Sequence, residues 1–293
     1  MIVTRRDGCL ELVEQVEHGR IAGALAGAWG NEVFGRPDPH PAVQLAAARH
    51  DEGWRAWDGA VLFHEIERRP QHFLEIDASE HITLYRAGVQ QVSMLDVYAG
   101  LLVGMHWSGL YRGRWSRPGG GSRLQRSEGD RRRQDEVVHD EERRWIEAKH
   151  LAWRDEEPRS VFESKLWHNY DLLQLCDLLS LYLCVMPAEP GGGAVTLWGP
   201  QLRELEHQPE IVSLPPIAVS PGGHRLALTV SVRVRGEVTV DPFPFAGALE
   251  LDVAHRRLPD RGWTHDEAVD RLARTPLTVS RWQLVPPHAG VDQ

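Results

Sequence analysis

His50-Asp51 places an imidazole beside a carboxylate at the end of the apolar, alanine-rich stretch 41–49, with the turn residue Gly53 just beyond. A neutral imidazole and a carboxylate presented from a helix end are ordinary ligands for a first-row divalent metal ion. The dipeptide alone says little. It recurs at His139-Asp140, inside a densely charged stretch, and at His265-Asp266, where a polar helix start favours capping. His50-Asp51 is set apart by its company. His18 falls in line with Ile21, Ala22, Leu25 and Trp29, on the apolar face of a helix expected over 15–29. His106 shares a line with Tyr98 and Leu102, and Asp177 shares a stripe with Tyr170, Leu173, Leu181 and Cys184.

A ligating or charged group on a buried helical face is costly unless something pairs with it. One divalent ion would pair with all four inward groups, His18, His50, His106 and Asp177, and Asp51 stands close enough in sequence to reach it. His81, in Ser79-Glu80-His81-Ile82, is the best extra ligand. Six ligands exceed what one tetrahedral zinc takes and suit two ions bridged by Asp51. Such a pair can hold a hydroxide and neutralise charge on a phosphoryl group during in-line attack. The plainer reading stands beside this one. A lone histidine on an apolar face is more often a hydrogen-bonded core residue than a ligand. Asp177 alone reads equally well as a buried acid paired with a base, and Asp171 is the replacement to test if Asp177 points away.

The elements that must position these residues follow from pattern. Alternating runs around Asp7-Gly8 predict a hairpin over 1–14. Helices are expected over 15–29 and 41–51, the second opening on a proline. Residues 52–80 read as irregular. Ser93 is expected to cap a helix running to about 111, and another helix spans 160–186. Residues 112–129, rich in Gly, Arg and Ser, read as a loop, and 130–154 as an exposed charged helix within an insertion near 113–154. Pro187 and Gly191-Gly192-Gly193 close the helical part. The period then shifts to the alternation of strands over 225–240 and 248–253, interrupted by Asp241-Pro242-Phe243-Pro244-Phe245. A last helix starts near Thr264, with Glu267 in capping-box position.

Composition bounds the class. The 293 residues, 42% hydrophobic and 26% charged, are those of an ordinary globular chain, and the net charge of -9 argues against a nucleic-acid binder. Cys9, Cys176 and Cys184 make no disulfide framework, the N-terminal segment lacks the apolar stretch of a signal peptide, and the longest apolar run is broken by Gln174, Asp177 and Ser180. A cytoplasmic protein with no membrane partner is expected. Histidine is abundant, fifteen residues against six Phe and five Tyr, so position must decide which ones matter.

The ordered set His18, His50-Asp51, His81, His106, Asp177 resembles the HD superfamily, in which an H…HD…D signature sits on an all-helical core. The resemblance implies that His18, His50, Asp51 and Asp177 take the four signature positions and that His81 and His106 take the two added in dinuclear branches. Those branches include cyclic-dinucleotide phosphodiesterases and a smaller di-iron oxygenase group. The chain departs from the phosphodiesterases, reading Glu52-Gly53-Trp54-Arg55 after the doublet and lacking a Gly-Tyr-Pro motif. It is more similar to a bacterial family, domain of unknown function 3891, through Gln15-Val16-Glu17-His18, His50-Asp51-Glu52-Gly53-Trp54, Met105-His106, the run from Cys176-Asp177 to Cys184, and Pro242-Phe243-Pro244-Phe245.

The resulting expectation is a mainly α single domain over 1–293. An HD-like helical bundle occupies 15–187. A small antiparallel β subdomain comes from the β-rich region 190–293, and the N-terminal hairpin (1–14) is a candidate to join it. The expected function is a metal-dependent hydrolase of HD-like type, acting on a small-molecule phosphate ester with metal-bound hydroxide and one or two divalent ions (Mn, Fe, Zn or Mg). Glu52 is the candidate base, Arg55 and Arg112 are candidates to hold substrate charge, and Trp54, Trp57 and Trp107 to wall the pocket. The alternatives are a di-iron HD-like oxygenase or a non-catalytic metal-binding or interaction protein.

Overall fold

The computed structural model describes residues 1–113, 127–154, 156–185, 196–197, 211–234 and 236–287. The chain opens with the predicted hairpin, β1 (Ile2–Arg6) and β2 (Cys9–Val13), paired from Ile2–Val13 to Arg6–Cys9. Its turn residues Asp7 and Gly8 both take positive φ, as the hairpin turn matched to strand twist requires. Helices α1 (Gln15–Ala28) and α2 (His40–Arg49) follow, then a 3-10 turn (Glu52–Trp54) and the short α3 (Arg55–Ala60). The two-residue strands β3 (Phe63–His64) and β4 (Arg69–Pro70) form a small ribbon. Next come α4 (Ala78–Leu95) and α5 (Val97–Tyr111), separated at Asp96, whose carboxylate accepts from the Ala99 N–H. Asp96 is thus the cap where Ser93 was expected, and His81 lies on a helix rather than between helices. Helices α6 (Glu128–Ala152) and α7 (Arg159–Val185) complete the helical part.

The expected HD-like bundle with a small antiparallel subdomain does not hold. Beyond α7 lie β5 (Thr196–Leu197), β6 (Ile211–Ser213), β7 (Ile217–Ala218), β8 (Arg225–Leu226), β9 (Thr229–Val234), β10 (Glu237–Asp241), β11 (Leu249–Pro259), α8 (His265–Arg274) and β12 (Thr278–Val285). Eight strands form one sheet in the order β5-β1-β2-β11-β12-β10-β9-β6, while β7 and β8 pair separately. The long β11 creates this sheet. Its C-terminal half pairs antiparallel with β2 and its N-terminal half with β12, so the N-terminal hairpin and the C-terminal strands become continuous. β10 runs parallel to β12, which makes the sheet mixed. The fold is α+β, with helices packed against a large sheet.

The sheet shares its core with the helices. Ile2, Val13, Val230, Val238, Leu251 and Leu284 belong to the same buried cluster as Leu25, Val43, Leu102, Met105 and Leu173. The Phe243–Phe245 segment ties the two layers, because Asn31 Nδ2 donates to the Phe243 carbonyl at 2.8 Å and Phe245 bridges Trp29. α6 is not a solvated insertion either. It buries Gln134, Val137, Val138, Glu141, Trp145 and Ala148. Of the expected 112–129 loop, residues 114–126 lie outside the described residues, as do Pro187 and Gly191 to Gly193. Among the described residues no helix is long and apolar enough to cross a membrane. The capping box at Thr264 and Glu267 starts α8 as expected.

Candidate metal centre

Close helix approach builds the site. α1 carries Gly23 where it meets α2, and a Cβ there would overlap Ala48. This contact lets His18 on α1 meet His50 at the end of α2. Gly53, in the 3-10 turn, plays the matching part toward α4: a Cβ on it would overlap the Leu84 carbonyl oxygen. That approach brings Tyr85 of α4 to Asp51, its hydroxyl donating to Oδ1 at 3.1 Å. α7 supplies Asp177 and α5 supplies His106. All five residues, His18, His50, Asp51, His106 and Asp177, are buried.

The Nε2 atoms of His18 and His50 face each other at 3.1 Å. His50 Nδ1 lies 2.8 Å from the Ala47 carbonyl oxygen, which can only accept, so Nδ1 carries the proton. Ser180 donates its hydroxyl proton to the Asp177 carbonyl and accepts from His18 Nδ1 at 2.7 Å. Both rings therefore turn Nε2 inward: a proton there is donated to Asp177 Oδ1, and with that proton gone the two facing lone pairs suit a cation. Asp177 Oδ1 stands 3.0 Å from His18 Nε2 and 3.5 Å from His50 Nε2. Asp51 Oδ2 stands 3.9 and 3.7 Å from the same two atoms. Ligands of a tetrahedral ion held at normal zinc–nitrogen and zinc–oxygen lengths lie about 3.3 Å apart, within the range seen here. His18, His50, Asp51 and Asp177 are thus a buried cluster able to hold a metal ion. His18, His50 and Asp51 form one group with ligand atoms within 4.8 Å of one another, and His50, His106 and Asp177 form a second.

The electrostatics favour a positive charge at His50 and a negative one at Asp177, and oppose charge at Asp51 and His106. Burial opposes a charge on His50, but Asp51 and Asp177 outweigh it and raise its pKa to about 9. Burial alone would raise Asp177, yet hydrogen bonds from His18 and His50 and the nearby imidazoles hold it well below the usual carboxylate range. Asp51 is raised, because burial there exceeds the pull of His50 and His18. Burial lowers His106 to about 3, and its Nδ1 is buried with no hydrogen-bond partner among the described residues.

The other predicted residues are placed differently. His81 joins neither ligand-distance group; its Nδ1 lies 2.6 Å from the Tyr111 hydroxyl, and burial holds it neutral, with a pKa of about 3. Glu52 is paired with Arg55 at 2.9 Å and with Arg49 at 3.4 Å, and Arg112 with Glu142 at 3.1 Å, so these three side chains are committed to ion pairs. Asp171 pairs with Arg225 at 2.8 Å, leaving Asp177 as the inward acid. Trp54 packs edge-on to His81 at 5.5 Å and to Trp57 at 5.0 Å, and Trp107 stacks on Tyr85 at 6.1 Å. Sequence reasoning missed Gln15, which donates to Asp51 Oδ2 at 3.3 Å, as well as Tyr85 and Ser180. A signal was present: each stands three or four residues from a predicted ligand, on the same helical face.

The family model described as "Protein of unknown function (DUF3891)" matches residues 1–260. The chain belongs to this family. The DUF3891 match takes in the hairpin and every helix that supplies the metal centre, and stops at the end of β11, before α8 and β12. No curated protein and no solved structure shows significant similarity to this chain.

Proposed function

We propose that this DUF3891 protein is a metal-dependent hydrolase of small-molecule phosphate esters. The observation that carries the reading is the pair of buried imidazoles whose Nε2 atoms face each other at 3.1 Å with both Nδ1 atoms already bonded. His18, His50, Asp51 and Asp177 would hold the ion, with His106 at its flank. Imidazole and carboxylate together suit Zn, Mn or Fe better than a soft, thiolate-preferring ion. A bound divalent ion supplies Lewis acidity toward a phosphoryl oxygen and lowers the pKa of water. The chain's own residues do the rest. Ser180 and the Ala47 carbonyl fix the tautomers of the two histidines, and Tyr85 and Gln15 orient the two oxygens of Asp51. Neutral His81, braced by Tyr111, adds a polar wall without adding charge.

The test is metal analysis of purified protein followed by turnover of p-nitrophenyl phosphate and bis-p-nitrophenyl phosphate. Stoichiometric transition metal, lost in His50→Ala together with phosphate-ester turnover, supports the reading. No stoichiometric metal after growth in supplemented medium, or metal content unchanged in His50→Ala, overturns the site. Bound metal with neither ester hydrolysed overturns the reaction while leaving the site.

A further inference from the structure

Gln15 is the first residue of α1, where a helix leaves backbone N–H groups without intrahelical partners. Glu14 supplies no side-chain cap, and the Asp58 carboxylate of α3 takes the Gln15 N–H at 2.7 Å instead. This anchors Gln15 one turn before His18, so the two side chains share a face of the helix. Gln15 is 2% exposed. Its amide nitrogen donates to Asp51 Oδ2 at 3.3 Å, while its amide oxygen, Oε1, is buried with no hydrogen-bond partner among the described residues. The carboxylate fixes which way round the amide sits, because Asp51 Oδ2 takes a donor and repels a second oxygen.

Asp51 Oδ1 accepts from the Tyr85 hydroxyl, and Oδ2 stands 3.9 and 3.7 Å from His18 Nε2 and His50 Nε2. The Gln15 amide therefore touches the carboxylate oxygen nearest the two imidazoles. A buried carbonyl oxygen without a donor is unfavourable. The candidate ligands do not relieve it: an ionised carboxylate only accepts, and the His18 and His50 Nδ1 protons go to Ser180 and the Ala47 carbonyl. A catalytic metal site keeps one ligand position for water, which brings the donor that Oε1 lacks. We infer that Gln15 makes the centre selective for an exogenous ligand carrying a proton on its coordinating atom, water or an alcohol, over an anion that can only accept. Such a ligand gives its proton to Oε1 and is held in one orientation, whereas azide in its place leaves Oε1 unmatched. The inference rests on the metal reading above but not on the reaction, since it is tested without turning over any ester.

The experiment uses the full chain loaded with excess cobalt(II), whose visible bands report the displacement of water by azide. Gln15→Met keeps the length of the side chain and removes both amide groups. Two roles for Gln15 predict opposite signs. If it only braces Asp51, losing the Nε2 donor leaves that carboxylate more negative, and azide binds equally or more weakly. If Oε1 discriminates against azide, the penalty disappears with it. Azide then binds about 5- to 150-fold more tightly than in the wild-type protein, the cost of a buried acceptor left without a donor. Gln15→Leu repeats the measurement where Gln15→Met folds poorly. Tyr85→Phe removes the other donor to Asp51 and no carbonyl acceptor, and should not tighten azide. Unchanged or weaker azide binding in the Gln15 variants, or equal tightening in Tyr85→Phe, overturns the inference and leaves the metal centre standing. Absence of cobalt bands in the wild-type protein overturns the metal reading, and this inference with it.

Discussion

Ser180 Oγ lies 2.7 Å from His18 Nδ1 and gives its own proton to the Asp177 carbonyl at 2.8 Å. One hydroxyl thereby links two candidate ligands on different helices, fixing the tautomer of His18 from α7. Ser180→Ala leaves the His18 Nδ1–H without its acceptor in a buried site. Metal affinity should fall by about 10- to 100-fold, the usual cost of losing an outer-shell partner, while the fold is kept. Chelator competition measures the affinity, and an unchanged value would remove Ser180 from the site.

Tyr85 holds Asp51 from the opposite side. Tyr85→Phe keeps the ring that stacks on Trp107 and removes only the hydroxyl. Stability should drop by about 1–3 kcal/mol, because a buried carboxylate oxygen loses a donor. Urea unfolding of the metal-free protein measures it. Unchanged stability in Tyr85→Phe beside a large drop in Tyr85→Ala would show that the ring, not the hydroxyl, carries the contribution.

Gly53 faces backbone rather than a flexible side chain, since a Cβ there meets the Leu84 carbonyl oxygen. Gly53→Ala must therefore push α4 away from the 3-10 turn, and Tyr85 moves with it. A loss of about 1–3 kcal/mol or more is expected, together with weaker metal binding. Gly59→Ala, where nothing lies within 4 Å, is the control and should be near neutral. Equal melting temperatures for the two variants would contradict the close approach.

Acid should weaken the fold through histidines remote from the metal centre. Burial, then the N-terminal charge and Arg69, holds His72 well below its ordinary pKa, and burial, then Arg225, lowers His168 to about 4. Above the unfolded pKa of about 6.5 each is neutral in both states and its contribution is complete. Below it the unfolded chain takes up protons that the folded chain refuses, so stability falls as pH drops from about 6.5 toward 4. The slope is up to about 1.4 kcal/mol per pH unit for each group. Urea midpoints between about pH 7 and 5 should decline, and His168→Gln should decline less steeply. An identical slope in the variant would exclude His168 as a contributor.

The legible parts of the site were those that helical period governs. His18, His106 and Asp177 each stood in an apolar line, and each side chain is buried. His81 was legible as a buried residue only in hindsight, because residues 52–80 hide three short helical pieces (Glu52–Trp54, Arg55–Ala60 and Phe73–Glu75), the β3–β4 ribbon and the start of α4 in a stretch that reads as irregular. Glu52, Arg55 and Arg112 were chosen for charge near the site. Charge says nothing about partners, and each found an ion pair of opposite sign. The sheet was the larger omission. Alternation marks a strand but not its neighbour, so the N-terminal hairpin could be named only as a candidate to join the C-terminal strands, which it does through β2 and β11, and the parallel pairing of β10 with β12 was not visible.

By itself the sequence determined which residues turn inward, since side-chain direction on a helix follows its period and the hydrophobic effect decides which face is buried. It also determined the hairpin turn at Asp7-Gly8 and the capping box at Thr264, both local hydrogen-bond problems with local answers. Only the tertiary structure decided which inward groups meet. His18 faces His50 because α1 and α2 pack without a Cβ at Gly23. His81 turns to Tyr111, and β11 gathers both ends of the chain into one sheet. These outcomes depend on contacts between residues far apart in the chain, and no local period encodes them.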